Sequence, residues 1–320
     1  SLPEKLGGIR NWDYRFCWIR DAALTARELV SVGSTDEADA FLAWLQLVDP
    51  AESTLESLRP VYRLNRQGLG AEAVIESLPG YAGRRPVRVG NAAQGQLQID
   101  VYGPVCLLID QLSAHRGFVT DEEWILTRSM IEKVDQRWRE PDHGIWEMRD
   151  KARHHTHSRM MCWLAVNSAI AIAHRHASFV AEWTHLREAI FEEIEEHNWS
   201  DRLHSYICAV DQPEADASVL QGILEGYPAP QERIVSTVAF VEQELRQAGG
   251  VYRYTFDDGL PHGEGAMHIC AAWLAGTYVR LGATDDALQL LDAMLGAAGQ
   301  TGLLPEQVDP STNKGLGNHP

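Results

Sequence analysis

Ten stretches of this chain return an apolar side chain at every third or fourth position, while runs that alternate polar with apolar are few and short. Such spacing matches one buried stripe on a helix of about 3.6 residues per turn, and it predicts an all-α protein. The expected helices cover Arg20–Val32, Thr35–Val48, Gln96–Ser113, Asp121–Trp138, His157–His174, Ala177–Asn198, Ala217–Leu224, Gln231–Gln247, Ala266–Leu281 and Thr284–Leu295. Thr35, Thr120 and Thr284 each stand before acidic residues that suit the positive end of a helix dipole. Gly33 and Gly282 supply the left-handed residue that stops a helix.

The helices fall into five pairs whose first members begin near residues 20, 97, 157, 217 and 266, with short connections inside pairs and long ones between them. Repeated hairpins of this kind curl into a double ring, inner helices parallel and long loops gathered at one end, where a site is built. The chain begins almost at the first inner helix. The loop after the fifth pair stops at Gly317-Asn318-His319-Pro320, where a sixth inner helix is due. The expectation is therefore a single domain over residues 1–320, a toroid of helical hairpins incomplete at both ends and apolar along the flank of the gap.

Charge narrows the partners. With 28 Lys+Arg against 45 Asp+Glu the net charge is −17, so phosphate backbones and anionic lipid surfaces are repelled, and neither nucleic acid nor membrane is expected as a partner. The longest uncharged apolar run, around Val105 to Ile109, falls far short of the roughly 20 residues of a bilayer span. Nothing near Ser1-Leu2-Pro3-Glu4-Lys5 has the form of a secretory signal. Five cysteines, Cys17, Cys106, Cys162, Cys208 and Cys270, stand singly in mostly apolar stretches, which predicts buried free thiols and a reducing, cytoplasmic setting. The sequence does not determine an oligomeric state.

Four polar, aromatic segments lie in the long loops or at the starts of inner helices, and would meet at one end of the ring. They are Asn11–Asp21 (NWDYRFCWIRD), Arg85–Asn91 (RPVRVGN), Gly144–Glu147 (GIWE) with His154–His157, and Leu303–Pro310 (LLPEQVDP). The first interleaves rings with Arg and Asp, which suits a sugar: flat faces for its C–H side, charged groups for its hydroxyls. It suits equally a helix start with Asp21 near the dipole and the rings in the core. Glu147 follows a bulky Trp, and an apolar wall raises a carboxylic acid's pKa so that it stays protonated to donate. Glu306 sits in a Pro-bounded loop, where an ionised carboxylate removes a proton from water. Either glutamate alone reads as a solvated loop residue; the pair together does not. His154, His155 and His157 have no carboxylate or Cys at ligand spacing beside them, so hydrogen bonding or a helix start is expected there, with no metal and no cofactor.

Together with the segment His157–Trp163 (HSRMMCW), these stretches resemble, in order and along essentially the whole chain, the bacterial branch of the family-15 glycoside hydrolases: glucoamylases, glucodextranases and some trehalases. The resemblance implies an (α/α)6 barrel and exo-acting hydrolysis of a terminal α-glucoside with inversion, releasing β-glucose; a trehalase of the same family is the alternative. By position, Glu147 is the implied general acid and Glu306 the implied general base. Arg20 and Asp21 match the pair that grips the non-reducing glucose, Tyr14 and Trp18 line the same subsite, and Arg253 in Val251-Tyr252-Arg253-Tyr254 matches another sugar-contacting arginine. Arg85 and Trp146, inside matched segments, complete the candidate binding residues. Inversion requires the two carboxyls to lie roughly 6.5–9.5 Å apart. The branch usually carries an N-terminal β-sandwich ahead of the barrel, absent from this sequence along with the last helices. Two further readings remain: a glucoside phosphorylase, with Arg84, Arg85 and Arg88 offering a phosphate cluster, and a non-catalytic sugar-binding fragment.

Overall fold

The computed structural model describes residue 4 and residues 8–48, 58–247, 250–260 and 264–318. Most residues at the two extreme ends, 1–3, 5–7 and 319–320, on which the expectations about the termini bear, lie outside the described residues. Two compact units make up the chain, each assembled from separated stretches: residues 15–70 with 92–197, and residues 1–14 with 71–91 and 198–320.

The first unit holds three helical hairpins: α1 (Ile19–Ser31) with α2 (Asp36–Gln46), α3 (Tyr102–Arg116) with α4 (Asp121–Arg137), and α5 (Thr156–Arg175) with α6 (Ala181–His197). The first members pack on one another, α3 against both α1 and α5. The burial pattern explains the division of labour. Helix α5 buries an unbroken run from Thr156 to Val166, whereas α6 buries only Trp183, Ile190 and Ile194 along one stripe. Gly103 lets α3 approach α5: a Cβ there would lie 2.9 Å from both the Cβ and the backbone oxygen of Met161.

In the second unit α7 (Ser218–Leu224) packs on α9 (His268–Leu281), which pairs with α10 (Thr284–Gly296), and α8 (Gln231–Leu245) leans on α9 and on the strand Ser205–Tyr206. A small antiparallel sheet orders Lys314–Leu316, Gln307–Asp309 and Ala266–Met267, with Gln307 opposite both Leu316 and Met267. The remaining strands form two-residue ladders.

All ten expected helices are present, and several end as their punctuation requires. Gly33, at φ +89°, closes α1 through Ser34 N–H to the Leu29 carbonyl, and Gly282, at φ +80°, caps α9. Thr120 forms a full capping box: its hydroxyl accepts from the Glu123 amide, and the Glu123 carboxylate accepts from the Thr120 amide. Thr35 caps α2 without a side-chain bond, and Thr284 is the first residue of α10. Two boundaries differ from expectation. Helix α3 begins at Tyr102 instead of Gln96, because Pro104 has no N–H and fits only the first turn, where amides lack intrahelical partners. Helix α6 begins at Ala181 instead of Ala177, because Ala177, at φ +56°, and Ser178 close α5 by bonding back to His174 and Ala173. Cys106, Cys162, Cys208 and Cys270 are buried free thiols and Cys17 is half-buried. Among the described residues no helix is long and apolar enough to cross a membrane.

Candidate active site

In the first unit the candidate acid sits on a tight turn, Gly144–Glu147, between α4 and α5. Two residues of that turn adopt left-handed backbone, Gly144 at φ +66° and Glu147 at φ +58°. Gly144 is needed for space as well, since a Cβ would meet the His155 ring at 2.9 Å. Glu147 has no such excuse. A non-glycine residue held at positive φ is strained, and it persists only where its surroundings dictate it. They do so here: Met148 N–H bonds to the His143 carbonyl at 3.0 Å, and the Gln96 side-chain amide donates to the carbonyls of Glu147 at 3.1 Å and Met148 at 2.9 Å.

The Glu147 side chain is 24% exposed, and its named polar contacts converge on Oε1: the Trp18 indole N–H at 2.6 Å, the Gln98 amide at 3.5 Å and the Arg20 guanidinium at 3.8 Å. Burial pushes its pKa up and the charge of Asp21 adds to the rise, while Arg20, Trp18 and Gln98 oppose it. With Oε1 occupied by donors, Oε2 is the oxygen left to carry the proton. Trp18 is fixed by a two-residue ladder, Cys17–Trp18 against Val61–Tyr62, immediately before α1.

Arg20 and Asp21 occupy the first turn of α1 and divide their roles. Arg20 is buried, with Nη1 donating to Asp100 at 2.8 Å and Gln98 at 3.0 Å, and Nη2 to the Ile145 carbonyl at 3.1 Å. The Asp100 carboxylate and its neighbours hold it cationic. Asp21, 3.8 Å from Arg20, keeps 66% of its side chain exposed and is the accessible member of the pair. Trp146 is half-buried.

In the second unit Glu306 directly precedes the central strand of the small sheet. Its N–H donates to the Asn318 carbonyl at 2.7 Å and its own carbonyl accepts from His268 N–H at 3.1 Å. Its Oε2 accepts from the backbone and side-chain nitrogens of Asn318 at 3.2 and 3.4 Å, and a Cβ on Gly317 would press on that oxygen at 3.0 Å. Both backbone and carboxylate are thus fixed by one neighbouring turn.

Arg253 is part of a buried charge cluster in the same unit: it pairs with Glu264 and, at 3.5 Å, with Glu4. Arg10 bridges Glu264 at 2.9 Å and Asp258 at 2.8 Å, and Tyr254 donates to Asp258 at 2.8 Å. Trp12 donates to Glu4 at 2.8 Å beneath the Arg88 guanidinium, 4.4 Å from its ring. Tyr14 is at the surface, 36% exposed, and Arg85 is exposed and 3.7 Å from Glu76. Among the histidines, His155 is the N-cap residue of α5 and His154 meets Arg159 at 2.8 Å. Among the described residues no group of three or more His, Cys, Asp or Glu is arranged to hold a metal ion.

Several residues around the acid carried no recognisable signal in the sequence. Gln96, Gln98 and Asp100 were hidden inside an overlong expected helix; they lie on a strap ahead of α3 that ends in a 3-10 turn, Ile99–Val101, and Pro104, confined to a first helical turn, was the signal for it. Asp142, two positions before Gly144, is fully buried beside them.

Helical hairpins bearing such a site define the (α/α)6 barrel class, and a bacterial glucoamylase solved in complex with acarbose superposes with a TM-score of 0.73 at 15% identity, over 100% of this chain and 49% of that one. The sequence profile of glycosyl hydrolases family 15 matches residues 1–320, and the chain belongs to that family. A trehalase of Mycobacterium tuberculosis is 34% identical over the full chain, covering 48% of its own length, and a trehalase of Thermoplasma acidophilum is 33% identical, covering 55%. The chain thus spans about half the length of these curated relatives.

Proposed function

We propose that the protein hydrolyses trehalose with inversion, Glu147 acting as general acid and Glu306 as general base, with residues 1–320 serving as one catalytic domain. The observation that carries this reading is the state of Glu147: a carboxyl whose proton affinity is raised by burial, gripped at Oε1 and protonatable at Oε2. Glu147 donates that proton to the glycosidic oxygen as the C–O bond breaks. Glu306, steadied through Oε2 by Asn318, takes a proton from the water that attacks the anomeric carbon from the opposite face. The reading requires the two carboxyls to face one another across roughly 6.5–9.5 Å. Asp21 accepts hydroxyls of the bound glucose, and Trp18, Trp146 and Tyr14 offer ring faces to it. Arg253 and Arg85 complete the binding set.

Trehalase relatives at 33–34% identity favour trehalose over α-glucan ends. Exo-acting cleavage of starch- or dextran-like ends is the second reading, supported by the glucoamylase fold likeness. A base at Glu306 leaves little need for phosphate as nucleophile. Five unpaired cysteines support a cytoplasmic setting.

Trehalose has two linked anomeric carbons, only one of which reacts, so inversion yields one β- and one α-glucose per bond. Proton NMR during early turnover is expected to show the two anomers in equal amounts, with trehalose preferred over maltose, isomaltose and dextran. Glu147→Gln and Glu306→Gln are each expected to lower kcat by about 10²–10⁴-fold with little change in sugar binding. Release of α-glucose alone, or near-normal turnover in either variant, overturns the assignment.

A further inference from the structure

Asp142 is not part of the acid's contacts, yet it ties the turn that carries Glu147 to the strap that carries Gln96 and Gln98 and to the first turn of α5. Its side chain is buried, and Oδ2 accepts from the Ser158 hydroxyl at 2.8 Å and the Ile99 amide at 3.1 Å; the Gly144 amide also donates to the carboxyl. Those three donors belong to the first turn of α5, to the strap that carries Gln98 and Asp100, and to the turn that carries Glu147. The Asp142 backbone adds a reciprocal pair of bonds to Arg153, both 2.8 Å, and His143 N–H reaches the Leu97 carbonyl at 2.9 Å. The left-handed Glu147 backbone is held partly from outside the turn, by Gln96 on the strap, and Asp142 fastens that strap to the turn through Ile99 and Gly144.

We propose that Asp142 is a positioning residue for proton donation: by gathering Ile99, Gly144 and Ser158 on one carboxyl, it locks the Glu147 turn against the strap whose Gln98 and Asp100 set the acid's environment. The inference rests on the reading of Glu147 as general acid. Burial, with the nearby Asp100 charge, pushes the Asp142 pKa up to about 8, which favours the protonated carboxyl, while Oδ2 serves as the acceptor on which the Ser158 and Ile99 donors meet.

The test compares two substrates in the full-length protein. Trehalose needs its leaving oxygen protonated; α-glucosyl fluoride does not, because fluoride departs as a stable anion while attack by water is unchanged. Asp142→Ala is expected to lower kcat on trehalose by about 10²-fold, in the range of a lost general acid, with KM changed less than about threefold and α-glucosyl fluoride turnover largely kept. Asp142→Asn, which keeps an acceptor oxygen for the three donors, is expected to restore most of the trehalose activity. Should the alanine variant fail to fold, Ser158→Ala removes one donor and is expected to show the same selective loss, several-fold in size. Equal loss on both substrates, or no rescue by asparagine, overturns the proposal alone. A wild-type protein inactive on both substrates overturns the reading of Glu147 and the proposal with it.

Discussion

In its proposed role Glu147 donates only while it holds its proton, and the groups around it set where that ends. Its pKa is raised, so kcat is expected to fall as pH climbs through that elevated value, and the Trp18 indole N–H, which favours the ionised form, holds the value down. Removing that donor in Trp18→Phe therefore raises the pKa further and moves the basic limb of the kcat–pH profile on trehalose to higher pH; a limb that stays put or moves down contradicts the assignment. The two candidate glutamates stand out in the sequence because each lies inside a stretch with a family resemblance. Asp142, Gln98 and Asp100 do not, because a buried Asp or Gln is defined by its neighbours in space, and Ile99, Ser158 and Arg20 are far from one another in the chain.

At the level of helices the 3.6-residue periodicity sufficed to find all ten, although α5 and α7 are buried on nearly every side and only outer helices such as α6 show a single buried stripe. It misplaced the start of α3 because periodicity ignores the missing N–H of Pro104, and the start of α6 because the turn ending α5 contains no glycine to mark it. The two-residue ladders were beyond reach, being shorter than any alternating pattern. The packing of α3 on α5 was equally invisible. Gly103 permits it, and Gly103→Ala, although it favours helix, forces a methyl to within 2.9 Å of the Met161 carbonyl oxygen. Urea unfolding is expected to report a loss of about 1–3 kcal/mol, and an unchanged midpoint would show that α5 can move aside.

Over the whole molecule, the border between the two compact units left no trace in the sequence, because both are assembled from separated stretches and no Gly- or Pro-rich linker is needed where the chain passes from one to the other. The net charge of −17 bears on charged partners and carries no information about a neutral sugar such as the proposed substrate. Global stability nevertheless carries a signature of the site. Ordinarily alanine confers more stability than glycine, because it restricts the unfolded chain. At residue 147 the left-handed backbone, φ +58°, reverses that order. Glu147→Ala and Glu147→Gly both delete the carboxyl, so they differ only in how well they tolerate the turn, and denaturant titration is expected to find the glycine protein firmer by about 1 kcal/mol. An inverted ranking of two proteins that both lack this carboxyl would reveal, with no substrate in the tube, that the main chain at residue 147 is kept under tension.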